Sequence, residues 1–263
     1  MAYYRIEYRS EALQRVTSFE MLIPNDQPAV PFPGAPENPY LKRPMKTLFL
    51  LHGYTGKAGN WVPEGIPEKY NFAIVMPTAE NSFYLNGLGT GRAFQTLVGE
   101  ELVEYVRKTF GLAKSPEDTY IAGLSMGGFG ALHTGLAYPE TFGKIGALSS
   151  ALIHNEVAKM QPGQGNEVAD YDYYRGCFGE PAELSASDRN PEVLARKLKA
   201  AGAKIPEIFM ACGTEDFLIE NNRAFHAFLE QEGIEHIYKE GPGIHDMVFW
   251  SEWIAKVADW MFV

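Results

Sequence analysis

The chain has 263 residues, 46% of them hydrophobic and 13% aromatic, and a formal net charge of −10. That apolar content supports a sizeable core and excludes a disordered chain, while the acidic balance excludes the basic patch of a phosphate-backbone binder, so no nucleic-acid partner is expected. No stretch approaches the roughly 18 apolar residues that cross a bilayer, and residues 1–10 lack a signal-like apolar run; the expectation is a cytoplasmic protein without a membrane partner.

Strand-like and helix-like segments alternate along almost the whole length, the pattern of a mostly parallel sheet covered by helices. Residues 3–9 and 15–23 read as an antiparallel hairpin at the sheet edge. Residues 24–44 carry seven prolines, at 24, 28, 31, 33, 36, 39 and 44, and read as an extended surface loop. Core strands follow at 46–52 and 72–76. Residues 92–110 form the clearest helix, with Val98, Leu102, Val106 and Phe110 on one face and Gly111 as its stop. A buried strand at 118–122 runs into a Gly/Ala-rich helix at 126–138, ended by Pro139. Further central strands are expected at 144–148 and 205–211. Between them, residues 150–190 show no strong period and are expected to lie as loops over the strand C-terminal ends, where such sheets bind ligands. A helix at 219–232, a last strand at 235–238 and an amphipathic helix at 247–262 complete one α/β domain spanning 1–263.

Within that frame, Gly123-Leu124-Ser125-Met126-Gly127 matches G-x-S-x-G, the turn that exposes a nucleophilic serine between a strand and a helix. The pattern is short, and its meaning rests on context: a buried strand precedes it and a tightly packed helix follows. Serine needs a base to become a nucleophile, and the base needs a carboxylate to orient it. In this architecture the order is Ser, then Asp or Glu, then His. Of the six histidines, His245 sits in a glycine-rich loop between the last strand and the closing helix and is the expected base. His236 falls within the strand pattern and reads as structural. The acid belongs in the turn after the penultimate strand, where Glu215 and Asp216 compete; Asp216 lies deeper, just before Phe217 and Leu218. Asp246 adjoins the base and is too near in sequence to orient it.

Acyl transfer also needs two backbone N–H groups aimed at the developing oxyanion. Met126, next after the nucleophile, supplies one. The loop entered by Leu51-His52-Gly53-Tyr54 supplies the other through Tyr54, with His52 as scaffold. Trp61, Phe83, Tyr84, Tyr171, Tyr173, Tyr174, Phe178 and Phe217 fall in or beside segments expected to rim the pocket. Of these, Trp61, Tyr84, Tyr171, Tyr174 and Phe217 are the expected substrate contacts. Cys177 and Cys212 read as ordinary buried residues, and neither a metal site nor a cofactor is expected.

The runs 51–56, 122–128, 211–217 and 243–246 together resemble the tributyrin-esterase group of α/β-hydrolases, which is related to S-formylglutathione hydrolases and to feruloyl and acetylxylan esterases. The resemblance runs from about residue 3 to the C-terminus. It implies an α/β-hydrolase fold, a Ser125–Asp216–His245 triad and hydrolysis of short-chain acyl, acetyl or feruloyl esters, including carbohydrate esters. S-formylglutathione hydrolysis and acyl transfer by the same triad are the alternatives. A small-molecule ester is the expected partner, and self-association into a homo-oligomer is compatible with this reading.

Overall fold

The computed structural model describes all residues except Gln27, Ala29, Pro31, Phe32, Asn60 and Val62. Strand β1 (Ala2–Ser10) alternates exposed and half-buried side chains, the period of a strand with one face covered. It pairs antiparallel with β2 (Arg15–Ile23), from Ala2 opposite Ile23 to Ser10 opposite Arg15. The expected hairpin is therefore present at the sheet edge. The proline-rich segment is described in part: Pro39–Lys42 forms one 3-10 turn capped by Asn38, whose Oδ1 accepts from the Tyr40 amide at 2.9 Å. Pro31 lies outside the described residues.

The parallel part begins with β3 (Lys46–Leu51), helix α1 (Ile66–Tyr70) and β4 (Phe72–Pro77). A short turn of helix, α2 (Phe94–Thr96), a wide π turn at Leu97–Glu101 and α3 (Leu102–Phe110) come next. The sequence reading expected one unbroken helix over 92–110. The departure centres on Gly99, where a Cβ would stand 2.2 Å from the Tyr138 ring, so that this backbone closes directly onto an aromatic side chain. Val98, Leu102 and Val106 are nonetheless buried, whereas Phe110 is half-buried against Tyr4.

Then follow β5 (Thr119–Leu124), α4 (Met126–Ala137) and β6 (Lys144–Leu148). The segment expected as loops instead contains α5 (His154–Val157), α6 (Tyr171–Phe178) and α7 (Pro181–Leu184), with α8 (Pro191–Ala200) after it. α5 to α7 are too short to show a hydrophobic period, and α6 to α8 are started locally. The Asp170 side chain caps α6, and Pro181 and Pro191 open α7 and α8. The chain closes with β7 (Glu207–Gly213), α9 (Ile219–Gln231), β8 (Ile237–Gly241) and α10 (Met247–Phe262). Strand β8 starts two residues later than expected, which leaves His236 before the strand rather than in it.

The eight strands form one sheet in the order β1-β2-β4-β3-β5-β6-β7-β8, antiparallel through β4 and parallel beyond it. Alternate residues of each central strand serve two cores. Phe49, Val75, Ile121 and Ile145 pack with Val106, Phe129 and Leu132 on one face. Leu48, Leu50, Ile74 and Tyr120 pack with Trp253, Val257 and Phe262 of α10 on the other. Such two-sided burial is why the central strands read as continuous apolar runs. It also fixes the C-terminal ends of β3, β5, β6, β7 and β8 in one row, and the candidate site is built from the loops leaving β3, β5, β7 and β8.

Candidate active site

Ser125 stands between β5 and α4 with φ 54° and ψ −119°, a conformation that costs a non-glycine residue roughly 1–3 kcal/mol and that its surroundings must impose. They do so from both sides. The Ser125 amide donates to the Leu148 carbonyl at 2.9 Å, and its own carbonyl accepts from Phe129 at 3.1 Å and Ala151 at 2.9 Å. The flanking glycines permit the turn: a Cβ on Gly123 would lie 2.1 Å from the Gly127 carbonyl oxygen, and one on Gly127 would lie 2.3 Å from that of Leu51. Strand and helix are thus pressed together at the serine, and its side chain is left facing a pocket.

His245 reaches Ser125 from the loop between β8 and α10. Its Nε2 lies 2.9 Å from Ser125 Oγ, and its Nδ1 lies 2.8 and 3.0 Å from the two Asp216 oxygens. A carboxylate only accepts, so Nδ1 carries the proton and the Nε2 lone pair faces the serine hydroxyl. The ring is held between Phe217, at a centroid distance of 4.5 Å, and Trp250, edge-on at 4.8 Å. Asp246 plays no part in this; it caps α10, accepting from the Val248 and Phe249 amides at 3.0 and 3.1 Å.

Asp216 is buried at the foot of the chain and accepts a further hydrogen bond from the Leu218 amide at 2.8 Å. Burial opposes its charge, but the hydrogen bonds from His245 and the Leu218 amide outweigh it and hold the carboxyl below the ordinary carboxylate range. A carboxylate depressed in the native state stabilises the fold above its unfolded value near pH 4, and that contribution disappears as pH falls through the lower native value. Asp216→Asn is therefore expected to flatten the loss of stability as pH falls below about 4, read from urea midpoints through the acid range. Glu215 is exposed and does something else. Its Oε2 accepts from the Gly243 amide at 2.7 Å and its own amide donates to the Gly243 carbonyl, tying the β7 and β8 loops together.

The other half of the site is backbone. Met126 is the first residue of α4, a position whose N–H has no intrahelical acceptor. Across from it, Gly53–Gly56 make a tight turn closed by the Gly56 amide to the Gly53 carbonyl at 3.0 Å, and the Thr55 amide is taken up by Asn81 Oδ1 at 2.7 Å. Gly53, Tyr54, Ser125 and Met126 all line one pocket. His52 holds this turn from beneath: Nδ1–H donates to the Gly53 carbonyl at 2.8 Å and Nε2 accepts from the Ala79 amide at 3.1 Å. Burial pushes the His52 pKa down, which keeps it neutral and its tautomer fixed.

The remaining histidines lie elsewhere. His226 and His236 pair with each other at 2.7 Å, His154 meets Glu192 at 3.2 Å, and His133, driven down to about 4 by burial, bonds the Asp188 carbonyl at 2.8 Å. Cys177 and Cys212 are both buried and unpaired, with the Cys212 thiol pushed up to about 12 by burial.

The pocket above Ser125 measures about 880 Å³. Of the aromatic residues singled out from sequence, Trp61, Phe83, Tyr174 and Phe217 line it, Phe217 being 74% exposed at the mouth. Tyr84 does not. It is fully buried and its hydroxyl donates to the His52 carbonyl at 3.0 Å, so it braces the Gly53–Gly56 turn rather than meeting substrate. Nor does Tyr171 line it; it opens α6, its amide bound to the Gln164 carbonyl at 2.8 Å. Tyr173 packs edge-on against Tyr54 at 6.0 Å and donates to the Asn81 carbonyl at 2.6 Å, and Phe178 packs on Phe83 and Phe129 in the core.

Sequence reading missed two contributors. Trp250 supports the imidazole, but at helix spacing it is indistinguishable from other core positions of α10. Asn222 is fully buried in α9 and accepts from the Ser150 amide at 3.1 Å, while its Nδ2 serves the Ser150 and Leu218 carbonyls at 3.0 and 2.9 Å. It locks the loop after β6 to the one carrying Asp216. Asn222→Ala is expected to cost about 3 kcal/mol of stability, because buried backbone groups lose their partner; urea unfolding measures it.

An eight-stranded, mostly parallel sheet with a serine elbow and an imidazole over its C-terminal edge defines an α/β-hydrolase. A family model described as "Putative esterase" matches residues 36–260, and the acetyl esterase of Caldicellulosiruptor saccharolyticus is 40% identical over 99% of this chain and 98% of its own length. The chain belongs to the esterase family, and it is a carboxylesterase acting on small-molecule esters. Among solved structures, substrate-bound fluorophosphonate-binding serine hydrolase F of Staphylococcus aureus superposes with a TM-score of 0.83 at 26% identity, covering 100% of this chain and 98% of that one. An S-formylglutathione hydrolase from the same organism shares the fold, with a TM-score of 0.81 at 24% identity and coverage of 100% and 99%. No helix among the described residues is long and apolar enough to cross a membrane.

Proposed function

We propose that Ser125 is the nucleophile of this esterase, with His245 as general base, Asp216 as the carboxylate that orients it, and the Met126 and Tyr54 N–H groups as the oxyanion hole. The observation that carries the reading is the continuous hydrogen-bond chain from Ser125 through His245 to buried Asp216 at the floor of the pocket. In this mechanism His245 takes the hydroxyl proton as Ser125 attacks the ester carbonyl, and the two N–H groups receive the negative charge on oxygen. The alcohol leaves with the proton from His245. Water, activated by the same imidazole, then releases the acid and restores the serine. Asp216 stabilises the imidazolium formed in both halves.

The acyl group is short, an acetyl or butyryl, and the alcohol is larger, of the size of an acylated sugar or aromatic alcohol. The likeness to an acetyl esterase supports the first part, and the volume and aromatic lining of the pocket support the second. A cytoplasmic setting belongs to the same reading, supported by the two free thiols. The test is a panel of p-nitrophenyl esters from acetate to decanoate, together with feruloyl and acetylated sugar esters. The expected order of kcat/KM places acetate and butyrate at least about tenfold above decanoate, since each missing or surplus methylene is worth roughly tenfold or more in a fitted pocket. A maximum at decanoate would exclude the short-acyl assignment.

A further inference from the structure

We propose that Glu156 and Glu167 make this pocket selective for esters with a neutral or cationic leaving group and turn away anionic ones, an inference that rests on Ser125 being the nucleophile. Most of the pocket wall is apolar, formed by residues such as Trp61, Phe83, Val157, Met160 and Trp250. Besides the His245 imidazole, the side chains of formal charge lining it are the carboxylates Glu156 and Glu167; among the described residues that line it there is no lysine or arginine. Neither carboxylate takes part in an ion pair among the described residues, and both residues are exposed at the rim.

Glu156 is held through its carboxylate, and Glu167 through the backbone turn that carries it. Asn221 Nδ2 donates to Glu156 Oε1 at 2.7 Å and to the Leu152 carbonyl at 3.3 Å, fixing the carboxylate against the start of α9. Beside Glu167, Asn166 Oδ1 accepts from the Val168 and Ala169 amides at 2.9 and 3.0 Å and from the Tyr174 hydroxyl at 3.1 Å. That turn pins residues 166–169 to the pocket wall. Fixed charges of one sign beside a low-dielectric wall focus a field into the cleft. An anionic leaving group meets repulsion with no cation to offset it, a neutral one is indifferent, and a cationic one is drawn in. The thioester of glutathione, a net negative tripeptide at neutral pH, falls in the disfavoured class.

Three thioacetates separate charge from shape: acetylthiocholine, its neutral isostere S-(3,3-dimethylbutyl) thioacetate, and anionic S-acetyl-3-mercaptopropionate. Their kcat/KM values by thiol release give a cation-to-anion ratio. Comparing that ratio between wild type and variant cancels the intrinsic reactivity of each ester and the active fraction of each preparation. In Glu156→Gln with Glu167→Gln the ratio is expected to fall about tenfold at low ionic strength, and the fall should shrink as salt is added, as for charges several ångströms apart in screened solvent. Glu167→Gln alone should show part of it. Removing two charges on the edge hairpin instead, Glu7→Gln with Glu11→Gln, should leave the ratio within about twofold. An unchanged ratio in the pocket variants, or an equal fall in the hairpin control, overturns the proposal while leaving the esterase chemistry standing. No turnover of the neutral thioester by wild type would overturn that chemistry and this inference with it.

Discussion

Ser125→Ala is expected to lower kcat/KM for p-nitrophenyl acetate by about four to six orders of magnitude, with the Tm unchanged or raised. The loss is large because the hydroxyl has no substitute: without Oγ the pocket offers only its N–H donors and an imidazole that can at best activate water. The stability expectation follows from the backbone. Alanine carries the same φ preference as serine, and the bonds from Leu148, Phe129 and Ala151 that hold the elbow involve main-chain atoms alone. A fluorophosphonate probe should add one adduct to the wild-type chain, mapped to residue 125, and none to the variant. Retention of wild-type turnover by Ser125→Ala would remove this serine from the mechanism.

Asp216→Asn should cost about 10⁴ in kcat, and Glu215→Gln less than about fivefold, although the two acids are neighbours in sequence. The difference lies in what each carboxylate faces. Asp216 accepts the Nδ1 proton of His245, which leaves Nε2 free to act as base. An amide at that position presents an N–H₂ group to the ring, and the imidazole answers by carrying its proton on Nε2, toward the serine, where it blocks proton removal. Glu215 faces the Gly243 amide at the surface, a bond that the carbonyl of glutamine can still accept. The reverse pattern of losses would reassign the acid to Glu215.

Much of this architecture could be read directly from the amino-acid sequence, because local chemistry at those points is restrictive. The elbow needs glycine at 123 and 127, where any Cβ would strike backbone, and the closing helix over 247–262 announces itself by period and by the Asp246 cap. Asp216 stands out from Glu215 in sequence by the apolar residues that follow it, and in the structure its carboxylate is buried and accepts from the Leu218 amide. Other features depend on contacts between distant segments. Tyr84 has the composition of a binding residue, yet its role is set by the His52 carbonyl, 32 positions away. Asn222, in a helix with charged neighbours, has the look of a solvated face until Ser150 is placed against it. The π turn at Leu97–Glu101 depends on Tyr138, and α5 to α7 are each shorter than the window in which a helical period can be recognised. Donors supplied by the main chain, as proposed for Tyr54 and Met126, leave no residue type to read.

The two groups that exchange a proton in the proposed mechanism, Ser125 and His245, lie 120 residues apart in the chain and are brought together across the ordered row of β5, β6, β7 and β8. Closing so long a loop of chain is entropically slow, and parallel pairing rewards it late. During refolding, helical ellipticity and local hairpin contacts should therefore return before esterase activity does. Recovery of catalysis times the docking of the last strand, so the enzyme carries its own reporter for completion of the sheet.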